Sequence, residues 1–276
     1  MGVVITNNKL PEFLRNIKGI NELPVGFIAR FEPHHQKFFN GKCPVRYLLM
    51  RIDDANRILK NKKTSDSLKD YKIITTTTIE DKKLDKLKWE TERDIILKFE
   101  PDFHIPVDYP VYLNMDEKDR ISNVSACMEG TKWMARELSH TKTKILPLIK
   151  GITKEERILC YKAFDELKIN YCVFYGSQYF GGGIGNHFSM LEKDIRKITS
   201  EYPLCGILLI GLLAPRSLIK LPPQVVAAAG NKWIHECANN YKNINNFNKK
   251  LLELKDNVES TLCSGQMSLP IDWRWS

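Results

Sequence analysis

The run Leu204-Cys205-Gly206-Ile207-Leu208-Leu209-Ile210-Gly211-Leu212-Leu213-Ala214 is the longest apolar stretch in the chain. Apolar and polar residues do not alternate along it, so it reads as a strand covered on both faces, the kind a parallel sheet makes. It is too short to cross a bilayer as a helix. Working outward, similar short runs recur at Val25–Phe31, Val45–Ile52, Tyr71–Thr78, Phe103–Val107, Lys144–Ile149, Tyr171–Tyr175 and Lys232–Glu236. Helical spacing of apolar residues fills the intervals, over Asp81–Leu97, over Glu155–Leu167, and at Leu191, Ile195 and Ile198. Thr153 followed by Glu156 is the capping-box pattern of a helix start. Strands alternating with helices predict an α/β fold. The count fits a (β/α)8 TIM-type barrel better than an open doubly wound sheet. No linker or repeat divides the chain, so residues 1–276 are expected to form a single domain, with the last helix and tail over 238–276.

The 276 residues are 43% hydrophobic, 10% aromatic and 27% charged, values of a globular chain that exclude a disordered or collagen-like polymer. Lys and Arg number 42 against 33 Asp and Glu, a net charge of +9. That surplus favours a polyanionic partner, with nucleic acid first and an acidic membrane surface second. The lysine-rich stretch Lys60–Lys88 has acids interspersed and reads as a solvated face. Seven cysteines, none in a CxxC pair, are the usage of reduced intracellular thiols. The start Met1-Gly2-Val3-Val4-Ile5-Thr6 fits a loose myristoylation pattern, but no second membrane signal accompanies it and no secretory signal is visible. A cytoplasmic protein without a membrane partner is expected.

In a parallel barrel, chemistry sits beyond the C-terminal ends of the strands. Those positions hold Asp53 and Asp54, Thr75–Thr78, Asp108, Lys150 and Gly151, Gly176 and Ser177, Gly211 and Pro215, and His235 and Glu236. Asp53 and Asp54 equally suit the first turn of a following helix. Asp108 lies between Val107 and Tyr109-Pro110, where a carboxylate without a task is costly to desolvate. The run Gly181-Gly182-Gly183-Ile184-Gly185 has the composition either of a phosphate cradle or of a mobile active-site loop. His235-x-Cys237, with Cys263 downstream, lacks the spacing of a structural zinc site, so neither metal nor cofactor is expected. Walker A, Rossmann and G-x-S-x-G motifs are absent from the sequence.

From Lys98 to Cys237 the order of segments resembles the tRNA-guanine transglycosylase superfamily, closest in character to its DNA-acting members that insert 7-deazaguanines. Phe99–Asp108 (FEPDFHIPVD) is similar to the family's strand that ends in a base-recognising Asp, and Gly130–Arg136 to the helix after it. Leu146–Gly151 (LPLIKG) resembles the strand that usually ends Val-Gln-Gly, with Lys150 in place of Gln. Tyr171–Gly176 resembles the strand ending Gly-Gly-Leu, and Leu209–Pro215 the Gly-Val-Gly-x-Pro segment. Gly230–His235 falls where the last strand carries the nucleophilic Asp.

The resemblance implies base exchange by a pentosyltransferase. A carboxylate attacks C1′ of a guanosine in DNA, or in tRNA, guanine leaves, and a 7-deazaguanine takes its place. Asp108, Lys150, Gly151, Gly176 and Ser177 would bind the base. His235 stands at the expected nucleophile and Thr76 near the second expected Asp. The carboxylate roles therefore fall to Asp53, Asp54 or Glu236, with His235 beside them. The family's CxCx2C zinc site and tRNA-binding appendage are not found in the sequence, which favours DNA over tRNA. The alternative implied by the same departures is a non-catalytic nucleic-acid-binding subunit, in a homodimer or beside a heteromeric partner.

Overall fold

The computed structural model describes residues 23–39, 43–61, 68–180, 187–238 and 243–264. The Met1–Thr6 pattern and the glycine run 181–185 lie outside the described residues, as do Lys62 and Lys63 of the lysine-rich stretch. In chain order the elements are β1 (Gly26–Arg30), a 3-10 turn (Pro33–Phe38), β2 (Tyr47–Arg51), α1 (Ile52–Lys60), β3 (Lys72–Thr76), α2 (Asp81–Leu84), α3 (Trp89–Phe99), β4 (Phe103–Ile105), α4 (Glu117–Glu137) and β5 (Lys144–Ile145). There follow α5 (Lys154–Leu167), β6 (Tyr171–Tyr175), a 3-10 turn (Ser177–Tyr179), α6 (Phe188–Glu201), β7 (Gly206–Ile210), α7 (Pro215–Leu218), β8 (Val225–Gly230), a π-helical turn (Ile234–Ala238) and α8 (Ile244–Ser264).

The strands form one curled, all-parallel sheet in the order β5-β4-β3-β2-β1-β8-β7-β6. The expected alternation of strands and helices is therefore present, but the ladder does not run unbroken around a ring, because β5 and β6 are its two edges. β5 is short because Pro147 has no N–H to give to a ladder. Beyond it, Val173 N–H donates to the Pro147 carbonyl at 2.8 Å, Ile149 N–H donates to the Val173 carbonyl at 2.9 Å, and Leu148 bridges Val173 in parallel.

One face of the sheet encloses a cluster that includes Ile28, Tyr47, Leu49, Ile74, Phe103, Ile105, Leu148, Val173, Leu208, Ala227 and Ala229, all buried. The other face packs against the helices through a larger cluster centred on residues such as Leu48, Phe164, Ile195, Leu209 and Trp233. Burial on both faces explains why the apolar runs do not alternate. The capping box forms as expected: Thr153 Oγ1 accepts from Glu156 N–H at 3.3 Å, and Glu156 Oε2 accepts from Thr153 N–H at 3.4 Å. The helix expected over Asp81–Leu97 is instead two helices, α2 and α3, separated by a turn.

The last strand is a correction. It is Val225–Gly230, not Lys232–Glu236, and residues 232–238 are helical. Three consecutive alanines have weak strand propensity in isolation, whereas Trp-Ile looks strand-like. Inside the curled sheet, however, β8 lies between β1 and β7 with Ala227, Ala228 and Ala229 fully buried, where larger side chains from Ile28 and Leu208 occupy the space. Trp233 is fully buried too, outside the sheet against Phe38, Phe39 and Phe247.

This placement predicts that Ala229→Leu overpacks the enclosed layer and lowers stability by about 1–3 kcal/mol in denaturant unfolding. An unchanged midpoint would return residues 225–230 to a loop.

Candidate functional site

Alternation along the strands identifies what reaches the C-terminal mouth. In the paired registers Arg30 lies beside Leu49, Arg51 beside Thr76, Thr76 beside Ile105, and Tyr175 beside Ile210. Leu49, Ile105 and Ile210 belong to the enclosed cluster, so Arg30, Arg51, Thr76 and Tyr175 share its face. Two residues past Leu148 and Ala229, the same alternation places Lys150 and Asn231. The mouth therefore carries three cations, and each has a carboxylate beside it.

Lys150 Nζ donates to Asp108 Oδ1 at 2.5 Å, joining the loops after β4 and β5. Both side chains are largely withdrawn from water, with 15% and 10% of their surfaces exposed. Burial alone would lower the Lys150 pKa, but the Asp108 carboxylate outweighs it and the value is raised above 10.5. The ammonium is therefore fixed in its charged form.

Two buried glutamates hold the backbone on either side of this pair. Glu92 of α3 is 1% exposed, and its Oε1 accepts from Val107 N–H at 3.1 Å and contacts His104 Nε2 at 2.7 Å. The other ring nitrogen, Nδ1, lies 2.9 Å from Thr75 Oγ1. Val107 itself has φ +41, in the left-handed region that a β-branched residue avoids, at a cost of about 1–3 kcal/mol. Besides Glu92, Cys127 Sγ donates to the Val107 carbonyl at 2.9 Å. Gly130 leaves room for the Val107 side chain, since a Cβ there would lie 2.7 Å from Val107 Cγ1. The strained residue turns the chain directly before Asp108.

On the Lys150 side, fully buried Glu156 accepts from Ile152 N–H at 2.6 Å through Oε2 and from Arg120 Nε at 2.9 Å through Oε1. Arg120 also donates to the Met115 carbonyl at 2.5 Å, so one arginine ties the loop after β4 to the loop after β5. Gly151, at φ +110, lies so close to Glu156 that a Cβ would meet its Cβ at 2.8 Å. Burial pushes the Cys127 thiol far up and the Cys160 thiol up to about 12, so both stay neutral beneath the ion pair.

The second acid group is at β2. Arg51 Nε donates to Asp54 Oδ2 at 3.1 Å and lies 3.4 Å from Asp53 Oδ1. Asp54 is fully buried, with Arg57 3.5 Å from its other oxygen. Asp53 is 24% exposed and receives Lys83 Nζ at 3.2 Å. Both aspartates lie in the first turn of α1, where carboxylates complement the helix dipole.

Gly176 and Ser177 have packing roles. Gly176 N–H donates to the Ile210 carbonyl at 2.8 Å, and a Cβ on it would meet Leu209 at 2.9 Å. Gly211, at φ +108, makes room for Ser177, whose backbone N would lie 2.6 Å from a Cβ there. His235 and Glu236 are not at a strand end. They are exposed on the π-helical turn, where Glu236 pairs with Lys232, and Asn231 occupies the position expected for an acid. Among the described residues no three His, Cys, Asp or Glu side chains gather as metal ligands do. His35 is enclosed by Phe38 and Trp233, and burial, with His34 adding to it, lowers its pKa to about 4.

Sequence reading missed Arg51, Glu92 and Glu156 as parts of the site. Arg51 was findable as the next inward residue after Leu49. No family model matches the chain, and no curated protein matches it.

Removing one partner of the mouth pair leaves a withdrawn charge. Lys150→Met is expected to cost about 2–3 kcal/mol at neutral pH, and Asp108→Asn/Lys150→Met less than the two single changes together. Because the folded Lys150 pKa is raised, its stabilisation is full below 10.5 and declines as pH rises through the folded value. Additive costs in denaturant unfolding would contradict the coupling.

Proposed function

We propose that the eight strands close into a barrel along the Leu148–Val173 bridge and that its mouth reads a guanine-type base in nucleic acid, as in the transglycosylases the sequence resembles. The observation that carries this reading is the Asp108–Lys150 pair. Guanine presents one acceptor, O6, beside two donors, N1–H and the exocyclic amine. A carboxylate accepts from both donors, and an ammonium held beside it still has N–H groups for O6. A 7-deazaguanine keeps that edge unchanged, so one pair reads both the departing and the arriving base.

The reaction is base exchange in DNA, with tRNA the other substrate class. A carboxylate forms a bond to C1′ as the bond to guanine N9 breaks and a proton is delivered to the departing base. N9 of the incoming base then loses its proton, attacks C1′ and releases the carboxylate. Asp53 takes the nucleophile's part because its side chain is partly exposed, whereas Asp54, fully buried against Arg51 and Arg57, positions Arg51. Arg30 and Arg51 face the mouth beside it, each already paired with a carboxylate. A cytoplasmic site of action fits the reduced thiols, all seven of which are free cysteines.

A second reading has its own observation. Asn231 and Thr76, neither able to act as a nucleophilic carboxylate, stand at the ends of β8 and β3. A non-catalytic nucleic-acid-binding subunit would look this way.

Incubation with DNA or tRNA and labelled guanine or 7-deazaguanine separates the two. Exchange is expected in the wild type, lost in Asp53→Asn with nucleic-acid binding retained, and lost together with base selectivity in Asp108→Asn. Binding without exchange at any enzyme concentration selects the non-catalytic reading. Neither binding nor exchange contradicts both.

A further inference from the structure

Beside the mouth, α7, the π-helical turn and α8 enclose a cleft of about 720 Å³. Its walls carry Arg216 from the start of α7, Lys232 after β8, and Lys250 from α8, together with Glu236, Glu253 and Asn257. Lys232 is paired with Glu236. Among the described residues, neither Arg216 nor Lys250 has a carboxylate within salt-bridge distance, and Glu253 pairs with neither of them. Two cations thus face one polar cleft without a salt-bridge partner among the described residues.

We infer that this cleft is a phosphate-binding site. Like charges that line one cleft repel one another and favour an anion within it, and a tetrahedral phosphate offers several acceptor oxygens to a guanidinium and an ammonium. The amide of Asn257 supplies a neutral donor on the α8 wall. α8 is amphipathic at this place. Phe247, Leu251, Leu254, Val258 and Leu262 anchor it in the core, so Lys250 and Asn257 are presented from a fixed surface.

The phosphate has two sources, the backbone of a nucleic-acid strand and the free anion or a mononucleotide. The strand is favoured by position. β7 and β8 lie across the strand order from β4 and β5, with β1, β2 and β3 between, and the cleft opens from the loops after β7 and β8. A strand whose base meets Asp108 and Lys150 would leave the mouth on the side of Arg216 and Lys250. The choice of a strand rests on the base-reading proposal, but the existence of the phosphate site does not.

Anisotropy of a labelled single-stranded oligonucleotide over a salt series tests it with wild type, Arg216→Ala/Lys250→Ala and Asp108→Asn. The double variant is expected to bind roughly ten-fold more weakly, with a salt slope smaller by about 1 to 1.5, because each lost phosphate contact on a single strand removes ~0.7. Asp108→Asn is expected to weaken binding without reducing the slope. An unchanged slope and affinity in a folded double variant overturns the inference.

If the wild type binds no oligonucleotide, base reading in a strand fails, and inorganic phosphate tests the cleft by itself. A phosphate-dependent rise in the wild-type melting temperature that is lost in the double variant supports the site for the free anion. An equal rise in both proteins, or none in either, overturns it. Arg216 is exposed and Lys250 half-buried, and a matching melting temperature without phosphate verifies that the variant is folded.

Discussion

An ammonium and a carboxylate largely removed from water must be held together, because either alone would carry an uncompensated desolvation penalty. The Asp108–Lys150 pair imposes that requirement on two loops from neighbouring strands, and much of the surrounding chain serves it. Glu92 sits under the Val107 turn, Glu156 under Gly151 and Ile152, and Arg120 links the two loops across Met115. Each glutamate is itself buried and satisfied, so the loops rest on side chains that cannot relax into solvent. The strain at Val107 persists because three separate contacts fix it: an N–H bond, a carbonyl bond and the space left by Gly130. Energy spent on a left-handed valine directly before a withdrawn carboxylate is the pattern expected of a preorganised binding group.

Much of this architecture is legible in the sequence. Continuous apolar runs such as Cys205–Leu212 and Tyr171–Tyr175 announce buried parallel strands, and seven of the eight expected strands fall where the runs are. The eighth lies at Val225–Gly230 rather than Lys232–Glu236, because strand propensity is a poor guide where the enclosing sheet needs small residues. Val225–Gly230 earns its place by fitting between Ile28 and Leu208. With the strand there, His235 and Glu236 lie on the π-helical turn and not at a strand end.

The site was legible in part for a related reason. Asp108 and Lys150 stand at strand ends, which sequence can locate, and a carboxylate among apolar neighbours is conspicuous. Their direct contact links residues 42 positions apart, and nothing in local spacing encodes it. Glu92 and Glu156 lie on helices where a glutamate is ordinarily a solvent-facing residue, so their burial emerges only from the packing of α3 and α5 against the strand ends. Asp53 and Asp54 are neighbours in sequence, yet one is partly exposed and the other is fully buried, a difference that helix phase decides.

The mouth carries cations that are already paired, and the polar cleft beside it carries two, Arg216 and Lys250, with no salt-bridge partner among the described residues. A ligand with an uncharged, hydrogen-bonding head and an anionic backbone matches that division, and a nucleotide within a strand is such a ligand. The most direct measurement is calorimetric titration of free bases into the protein. Guanine and a 7-deazaguanine are expected to bind alike. Hypoxanthine, which lacks the amine that Asp108 would accept from, is expected to bind about 10- to 100-fold more weakly, the worth of one hydrogen bond to a charged group. Equal binding of guanine, hypoxanthine and adenine, or guanine affinity untouched by Asp108→Asn, would contradict a mouth built to read that edge.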